Sequence, residues 1–302
     1  MDNNESTKKT PVFKIIGAIF TAAFMWGTGN VISRSLLIEG IDEIFLITLR
    51  VTTIGTLLLI YYSIFNRDKF DIILLKEASI TAMASIFFVG WFFIFSLQYI
   101  SSGLVTLLIS SAPVFTIVWL KILLKEEKIS RQKYISIFIG LLGVVYLFVS
   151  KETGLQDQGN IFLGGTLAFM GVQCIALATV LNRKYARKYK VSSWLTFQYP
   201  IVILLSVAAF LITETELQFL NTSQILRVVT LVIFNLGAFT SFTWLIQRVS
   251  ALQVASVDYL VPVVGVTAGV IFLDETFNSN LITAGIFIFI SLLMNTKEEF
   301  SS

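Results

Sequence analysis

The chain of 302 residues is too apolar for a soluble protein of its length. Hydrophobic residues make up 56% of it, charged residues 14%, and the mean hydropathy is +0.83, whereas soluble domains carry about 25% charged residues. The composition therefore predicts a polytopic membrane protein. At about 20 residues per span, such a chain holds at most about eleven membrane helices and no sizeable soluble domain.

The residue types that the chain lacks exclude most catalytic chemistry. It has no histidine, which excludes histidine acid–base catalysis, histidine metal sites and serine triads. Its single cysteine, Cys174, allows no intramolecular disulfide and no cysteine-based zinc cluster. We therefore predict no enzyme activity, no metal and no cofactor. The net charge of +3 does not indicate a nucleic-acid partner, because the basic residues follow the membrane topology.

Ten apolar segments follow one another between charged or turn-forming stretches. They run over about 14–36, 43–65, 78–98, 103–123, 132–150, 160–182, 193–213, 224–247, 252–273 and 280–296. This pattern predicts an all-α integral membrane protein with ten transmembrane helices.

The placement of basic residues orients these spans. With both termini on one side of the membrane, that side receives 18 of the 22 Lys and Arg residues and the other side three, while Arg50 lies within a span. Cytoplasmic loops carry an excess of Lys and Arg. We therefore expect a multi-pass protein of the cell membrane with both termini in the cytoplasm.

The chain contains an internal repeat. Residues 101–144, laid over 250–293 without a gap, are identical at 11 of 44 positions. The most informative matches are Pro113 with Pro262 and Glu126 with Glu275. The repeating unit has five helices, and because five is odd, the second copy enters the membrane upside down. Inverted repeats are typical of secondary transporters, whose binding sites lie near the midplane between the halves.

The duplication predicts how the chain is divided. Two five-helix repeats share one membrane cavity, and short cytoplasmic tails and an external loop connect or flank them. The segments are a tail over 1–13, the first repeat over 14–150, the loop over 151–159, the inverted repeat over 160–296 and a tail over 297–302.

Several stretches resemble the signatures of a known family. The residues around Trp26 and Gly27 are similar to its first-helix tryptophan–glycine signature, and Arg34 fills its usual basic position. Residues 98–126 and 248–275 each resemble its segment in which a proline precedes a glutamate. The chain thus resembles the EamA-type transporters of the drug/metabolite transporter superfamily over most of its length.

The resemblance implies ten helices around a central cavity, alternating access, and small metabolites such as amino acids or amines as substrates. The chain departs from the family pattern at two positions. Gly171 stands where the second copy often has a tryptophan, and Asp258 stands in an otherwise apolar ninth span.

Asp258 is the strongest single candidate for a functional residue. A carboxylate within a span costs about 2.5–3.5 kcal/mol on insertion scales and usually faces a partner or a water-filled cavity. We expect Asp258 to bind a cationic or zwitterionic substrate, or to couple transport to protons. The alternative is a structural ion pair with Arg50 of the second span.

Aromatic and amide side chains complete the predicted binding site. Trp26 and Asn30 are four residues apart and share one helix face. An indole and an amide suit an amine-bearing ligand through cation–π and hydrogen-bond contacts, and packing between helices is the alternative. The other predicted substrate-binding residues are Trp91, Phe95, Gln173, Asn235 and Tyr259, each with packing, an interhelical hydrogen bond or an interfacial position as its alternative.

Four further residues are predicted to shape the helices. Pro113 and Pro262 lack an amide hydrogen, so each is expected to bend its span. Gly265 and Gly269 form a small-residue face on the ninth span, which favours close contact with another helix.

The sequence therefore predicts a secondary transporter that moves a small polar organic metabolite, such as an amino acid, an amine or a drug-like solute, by alternating access. We expect an exporter; the alternatives are an importer of a choline-like quaternary amine and a polytopic protein that transports nothing. Its partners would be the solute, membrane lipid and protons as a coupling ion, and the sequence leaves its oligomeric state open.

Overall fold

The part of the chain that the structure describes is helical. The computed structural model describes residues 11–65, 71–124, 131–156, 159–249 and 251–301, in which twelve α-helices occur and no strand. A helix satisfies its backbone hydrogen bonds within one segment, which is the condition for crossing a bilayer.

The first half contains seven of these helices. They are α1 (Val12–Ile38), α2 (Glu43–Phe65), α3 (Ile72–Ala82), α4 (Val89–Ser96), α5 (Ser102–Ile109), α6 (Ala112–Leu124) and α7 (Arg131–Ser150). A π-helical segment, Met83–Phe88, joins α3 to α4, so that the two form one span. The pair α5–α6 is also consistent with one span, which is broken at Ser110 and Ser111 and bent by 40°.

The second half contains five helices. They are α8 (Ile161–Tyr185), α9 (Val191–Ile212), α10 (Thr222–Arg248), α11 (Ala251–Leu273) and α12 (Ser279–Ser301). The asparagines that precede α8 and α10 cap these helices, since the Asn160 and Asn221 side chains accept hydrogen bonds from backbone amides of the first turn.

Each of the ten predicted spans coincides with a helix or with a joined helix pair. Among the described residues, six helices are long and apolar enough to cross a membrane, or seven if the bent pair is one span. Three shorter apolar helices cover Tyr134–Ser150, Leu260–Leu273 and Ser279–Ser291. The third span begins at Ile72, earlier than predicted, because the charged residues Lys76 and Glu77 end the apolar run without ending the helix.

The outer surface of the bundle is apolar. Side chains such as Phe138 and Leu204 are 62% and 64% exposed. An exposed apolar surface of this kind would cause aggregation in water but suits contact with lipid tails.

The two halves pack against each other as equivalents. The counterpart pairs α2 and α9, α5 and α11, and α7 and α12 are each in contact. Helix α1 packs against α10 and α11, and its counterpart α8 packs against α4 and α6. The pattern of contacts is therefore the same when the halves are exchanged.

The two helices of each counterpart pair are antiparallel. As the residue number rises along one helix, the number of the residue that it contacts in the other helix falls. The contacting residues are Thr48 with Ser206 and Leu58 with Thr196 in α2–α9, Ser102 with Gly269 and Thr106 with Gly265 in α5–α11, and Gly140 with Ser291 and Gly143 with Ile288 in α7–α12. A two-fold axis that relates two antiparallel helices lies perpendicular to them, which is the axis of an inverted repeat.

Candidate functional site

A cavity of about 140 Å³ lies between the two halves. Helices α1, α10 and α11 contribute one part of its lining, and α2, α9 and the span α3–α4 contribute another, with α8 between them. Because residues of both halves line it, the cavity lies where an inverted-repeat transporter is expected to bind its substrate.

One wall of the cavity is basic and polar. It contains Arg50 of α2, Ser85 of the π-helical segment, and Gln198 and Tyr199 of α9. The Ser85 hydroxyl donates a hydrogen bond to Gln198 Oε1 at 3.3 Å. A side chain at Gly90 would place its Cβ 2.8 Å from Arg50 Nη2, so this glycine leaves room for the guanidinium.

The other wall is aromatic and acidic. Trp26 lies edge-on to the rings of Phe239 and Phe242, with centroid distances of 5.6 Å and 5.0 Å. Asp258 also lines the cavity and lies on α11, which packs against α1. Helices α1 and α11 come close here because Gly27 has no side chain: a Cβ would lie 2.9 Å from the Val261 carbonyl oxygen. The glycine after Trp26 therefore lets α11 approach the tryptophan.

Arg50 and Asp258 face the same cavity without touching each other. Among the side chains that the structure describes, no ion pair within 4.0 Å joins them. The structural ion pair that the sequence left open as an alternative is therefore not formed. Among the described residues that line the cavity, Arg50 is the basic side chain and Asp258 the acidic one.

Five residues singled out in the sequence line this cavity, which are Trp26, Asn30, Arg50, Asn235 and Asp258. The Asn235 amide nitrogen donates to the Leu231 carbonyl at 2.8 Å, within its own helix. Substrate binding by these side chains stays a prediction. The side chain of Tyr259 lies outside the described part of the chain.

The structure does not bring Trp91, Phe95 or Gln173 to the cavity lining. The cavity face of the third span contains Ile86, Gly90 and Ile94, which are four residues apart, and Trp91 is rotated by about 100° from that face. Trp91 stacks on Phe95 at 5.6 Å and Gln173 Nε2 is buried without a hydrogen-bond partner among the described residues. This cavity gives no support to a substrate contact for the three residues.

Sequence reasoning missed several polar residues of the lining. Ser85, Asn182, Gln198 and Tyr199 face the cavity, and Asn182 Oδ1 also accepts a hydrogen bond from Trp194 Nε1 at 2.9 Å. An amide within an apolar segment was the signal that could have found Gln198. Serine and tyrosine are too common in membrane helices to be singled out by type alone.

The two repeated prolines lie in different surroundings. Pro113 is the second residue of α6, directly after the break, whereas Pro262 lies inside the continuous helix α11. Pro200, which the sequence analysis did not single out, lies inside α9. A bend is therefore observed in the span of Pro113, and a bend at Pro262 stays a prediction.

Glu275 of the second half holds the start of α5 in the first half. Its carboxylate accepts hydrogen bonds from the Ser102 and Gly103 amides at 2.7 Å and 3.0 Å, and from the Ser102 hydroxyl at 2.8 Å. Arg34 Nε lies 3.3 Å from the same carboxylate, and Arg34 also donates to the Leu97 carbonyl. The counterpart glutamate, Glu126, lies outside the described residues.

Comparison with known proteins identifies the family. The sequence profile of the EamA-like transporter family matches residues 13–149 and 162–297. The chain belongs to the EamA-like transporter family. The two matched ranges coincide closely with the predicted repeats over 14–150 and 160–296, so the EamA resemblance is confirmed, and with it the place of the chain in the drug/metabolite transporter superfamily.

One solved crystal structure, described only as that of a protein, resembles this EamA-like chain with a TM-score of 0.66 at 19% identity. The match covers 97% of this chain and 100% of the other, and it shows a shared fold. Comparison with curated proteins gives no match. Family membership and the apolar helices make the protein a multi-pass membrane protein of a transporter family.

Proposed function

We propose that this EamA-like protein is a secondary transporter that moves a small polar organic metabolite across the cell membrane by alternating access. The observation that carries the proposal is the cavity between the two repeats. Its lining includes Arg50, Gln198 and Asp258, which lie within apolar helices, where polar groups are costly and usually serve a substrate or ion pathway.

The proposal includes ten transmembrane helices in two inverted five-helix repeats. It is supported by the ten apolar helices or helix pairs and by the three antiparallel counterpart pairs. The excess of basic residues on one side, 18 against three, supports cytoplasmic termini. In such a fold, one repeat can move against the other around a fixed binding site.

Solute flux in proteoliposomes tests this function. Purified protein would be reconstituted and offered a panel of labelled amino acids, primary amines and choline. We expect saturable flux of at least one solute, and a strong reduction by Trp26→Ala, which removes an aromatic group from the cavity wall. The matched control is Phe138→Ala on the lipid-facing surface. Protein that is folded but moves no member of the panel would refute the transport function.

Vesicles of known orientation test the expected direction. If the protein works as an exporter, solute added on the cytoplasmic face should be carried to the external face at the higher rate. A higher rate in the opposite direction, above all for choline, would favour the importer instead.

The Asp258→Asn variant tests coupling to protons. We expect this variant to lose transport driven by a pH gradient, because the amide cannot carry the proton that the carboxylate carries. Glu39→Gln, which changes an exposed acidic residue outside the cavity, is the control. Unchanged rate, affinity and pH dependence in Asp258→Asn would show that Asp258 does not couple transport to protons.

A further inference from the structure

We infer that Glu275, with Arg34 and the start of α5, forms an external latch that keeps the cavity closed to the outside, so that the resting protein opens its cavity towards the cytoplasm. The latch consists of Arg34, Ser102, Gly103 and Glu275. The inference rests on the proposed transport function and topology, and it identifies the contact that has to break before the cavity can open to the outside.

The second half lines the cavity on its cytoplasmic side. In the proposed topology, α8 ends and α9 begins at the cytoplasmic face. The lining residues of α8 fall between Ile175 and Asn182, and those of α9 fall between Leu195 and Tyr199. Among the described residues, neither helix lines the cavity with its external half. The cavity is therefore displaced towards the cytoplasm along these two helices.

Backbone contacts cover the external end of the bundle. The Thr153 carbonyl accepts a hydrogen bond from the Ser101 amide at 2.9 Å, and the Gly154 carbonyl accepts one from the Thr276 amide at 3.0 Å. The loop between the halves thus joins the start of α5 to the residue that follows Glu275. These contacts bring the latch residues of both halves together on the external side.

The contacts of Glu275 run from the second half to the first and are shielded from water. Its side chain is 4% exposed and that of Arg34 is 11% exposed. Removing one partner of a buried ion pair costs far more than removing one partner of an exposed pair. Because Ser102 faces Gly269 of α11, an external opening between α5 and α11 has to break the bonds from Ser102 to Glu275.

The equivalent cytoplasmic positions carry different residue types. In the repeat alignment, Ser102 corresponds to Ala251, which has no hydroxyl group, and Gly269 corresponds to Leu120. A Cβ at Gly269 would overlap the Glu275 carboxylate, so this glycine leaves the room that the glutamate needs. The second copy of these positions therefore offers fewer hydrogen bonds and less room for a glutamate.

The basic partner also differs between the repeats. When Met25 is laid over Met170, Arg34 corresponds to Thr179, which carries no charge. The charge that compensates Glu275 is thus present at this position of the first repeat only. Since hydrogen bonds to charged groups are the stronger ones, the external side has the stronger closure, and the state that opens towards the cytoplasm is the more stable one.

Two exposed ion pairs occur on both sides and provide matched controls. Arg227 pairs with Glu39 at 2.6 Å, and Lys188 pairs with Glu77 at 2.8 Å. Glu39 and Lys188 each follow the first helix of a repeat, and Glu77 and Arg227 each lie near the start of a third span. Because both pairs are formed in one structure, they do not distinguish one side of the protein from the other.

Thiol labelling of a cavity residue tests the latch. Cys174→Ser removes the native thiol, and Asn30→Cys places a new one in the cavity lining. A membrane-impermeant maleimide is then added to either side of vesicles of known orientation. We expect labelling to be at least about tenfold faster from the cytoplasmic side, since a hydrogen bond to a charged group shifts an equilibrium by about that factor.

Variants of the latch should change the side from which the thiol is labelled. In this background, Glu275→Gln should raise the external rate at least about tenfold and lower the cytoplasmic rate, because the amide does not carry the charge that Arg34 compensates. Ser102→Ala, a milder change, should shift both rates in the same directions but less. Glu39→Gln and Glu77→Gln should leave both rates unchanged.

The outcomes separate the latch from a purely structural role and from the proposed function. Faster labelling from outside in the unmodified latch, or an external rate that Glu275→Gln leaves unchanged, would overturn the inference. Equal increases from both sides would also overturn it, because they would show that Glu275 only maintains the fold. If the latch variants shift the labelling as expected but no solute moves in proteoliposomes, the transport function is wrong while the external closure stands.

Discussion

The proline-bearing span of the first half is broken, whereas its counterpart in the second half is continuous. Helix α5 ends at Ile109 and α6 begins at Ala112, with a bend of 40°, while α11 continues through Pro262. Each proline lacks an amide hydrogen and so removes one helical hydrogen bond. Since the prolines are equivalent in the repeat, the proline alone does not decide whether the helix breaks.

The residues before each proline account for the difference. The Ser110 and Ser111 hydroxyls donate to the Leu107 and Leu108 carbonyls at 2.6 Å and 2.7 Å. Such bonds from serine to the preceding turn bend helices. The equivalent positions in α11 are occupied by residues 259 and 260, a tyrosine and a leucine, whose side chains cannot form these bonds. A repeated proline therefore has an effect that depends on its local sequence.

Tertiary contacts also act on the broken span, because the second half holds its start. All eight residues of α5 are buried, and Glu275 caps its N-terminus from across the interface between the halves. The short helix is thus fixed by serines at one end and by a carboxylate at the other.

The largest expected effect comes from removing that carboxylate. Glu275→Ala would leave the Arg34 guanidinium and the two amides of α5 without their partner, so we expect a loss of about 3–5 kcal/mol in the free energy of unfolding. Denaturant unfolding in detergent measures it, with Asp274→Asn at the exposed neighbouring position as control. A loss no larger than about 1 kcal/mol, as for a surface pair, would mean that the carboxylate does not hold α5.

A smaller effect is expected where α5 and α11 touch. A Cβ at Gly265 would overlap the Thr106 side chain, so Gly265→Ala should destabilise the protein by about 1–3 kcal/mol. The double variant with Thr106→Ala should recover part of this loss, because the smaller side chain gives room. Equal melting temperatures for the single variant and the unmodified protein would disprove the close contact.

Removal of the two serine hydroxyls should reduce the bend between α5 and α6 and change the stability of the protein little. In Ser110→Ala combined with Ser111→Ala, we expect the angle between α5 and α6 to fall from 40° towards about 20°, the lower limit of a sharp kink. A crystal structure of the variant would measure this angle. Pro262→Ala is the comparison, and we expect the direction of α11 to stay unchanged in it. An unchanged angle would assign the break to the proline or to tertiary packing.

The smallest expected effect concerns the exposed ion pair of Arg227 with Glu39. It serves as a reference for the buried ion pair of Arg34 with Glu275. Hydrogen bonds from Arg227 to Glu39, at 2.6 Å, lower the pKa of the Glu39 carboxyl from its ordinary value of 4.5. Because the folded pKa is the lower one, the pair stabilises the protein above pH 4.5 and this contribution is lost as the pH falls through the folded pKa.

Unfolding measured at neutral and acidic pH tests this reference pair. Arg227→Gln should lose stability less steeply than the unmodified protein as the pH falls below 4.5, and high salt should reduce the difference. If the two proteins show the same pH dependence, the pair contributes nothing to stability.

Part of the candidate site could be predicted from the sequence because charge and amides are conspicuous in apolar spans. Asp258, Arg50 and Asn235 are such residues, and all three line the cavity. Trp91 and Phe95 have the same four-residue spacing as Trp26 and Asn30, but spacing only shows that two residues share a face, and the face of Trp91 and Phe95 does not line the cavity. Gln198 also lies in the lining, and the same signal, an amide within an apolar span, predicts it.

The sequence by itself determined the membrane class, the family, the repeat and the approximate position of each span. These depend on local hydropathy and on the charges of the loops, since a lipid bilayer imposes the same length and polarity on every span. The rotation of each helix, the separation of Arg50 from Asp258 and the cap from Glu275 to α5 were decided by the tertiary structure. Most of these helices are apolar on all sides, so no amphipathic face shows which side packs inward, and only contact with neighbouring helices fixes it.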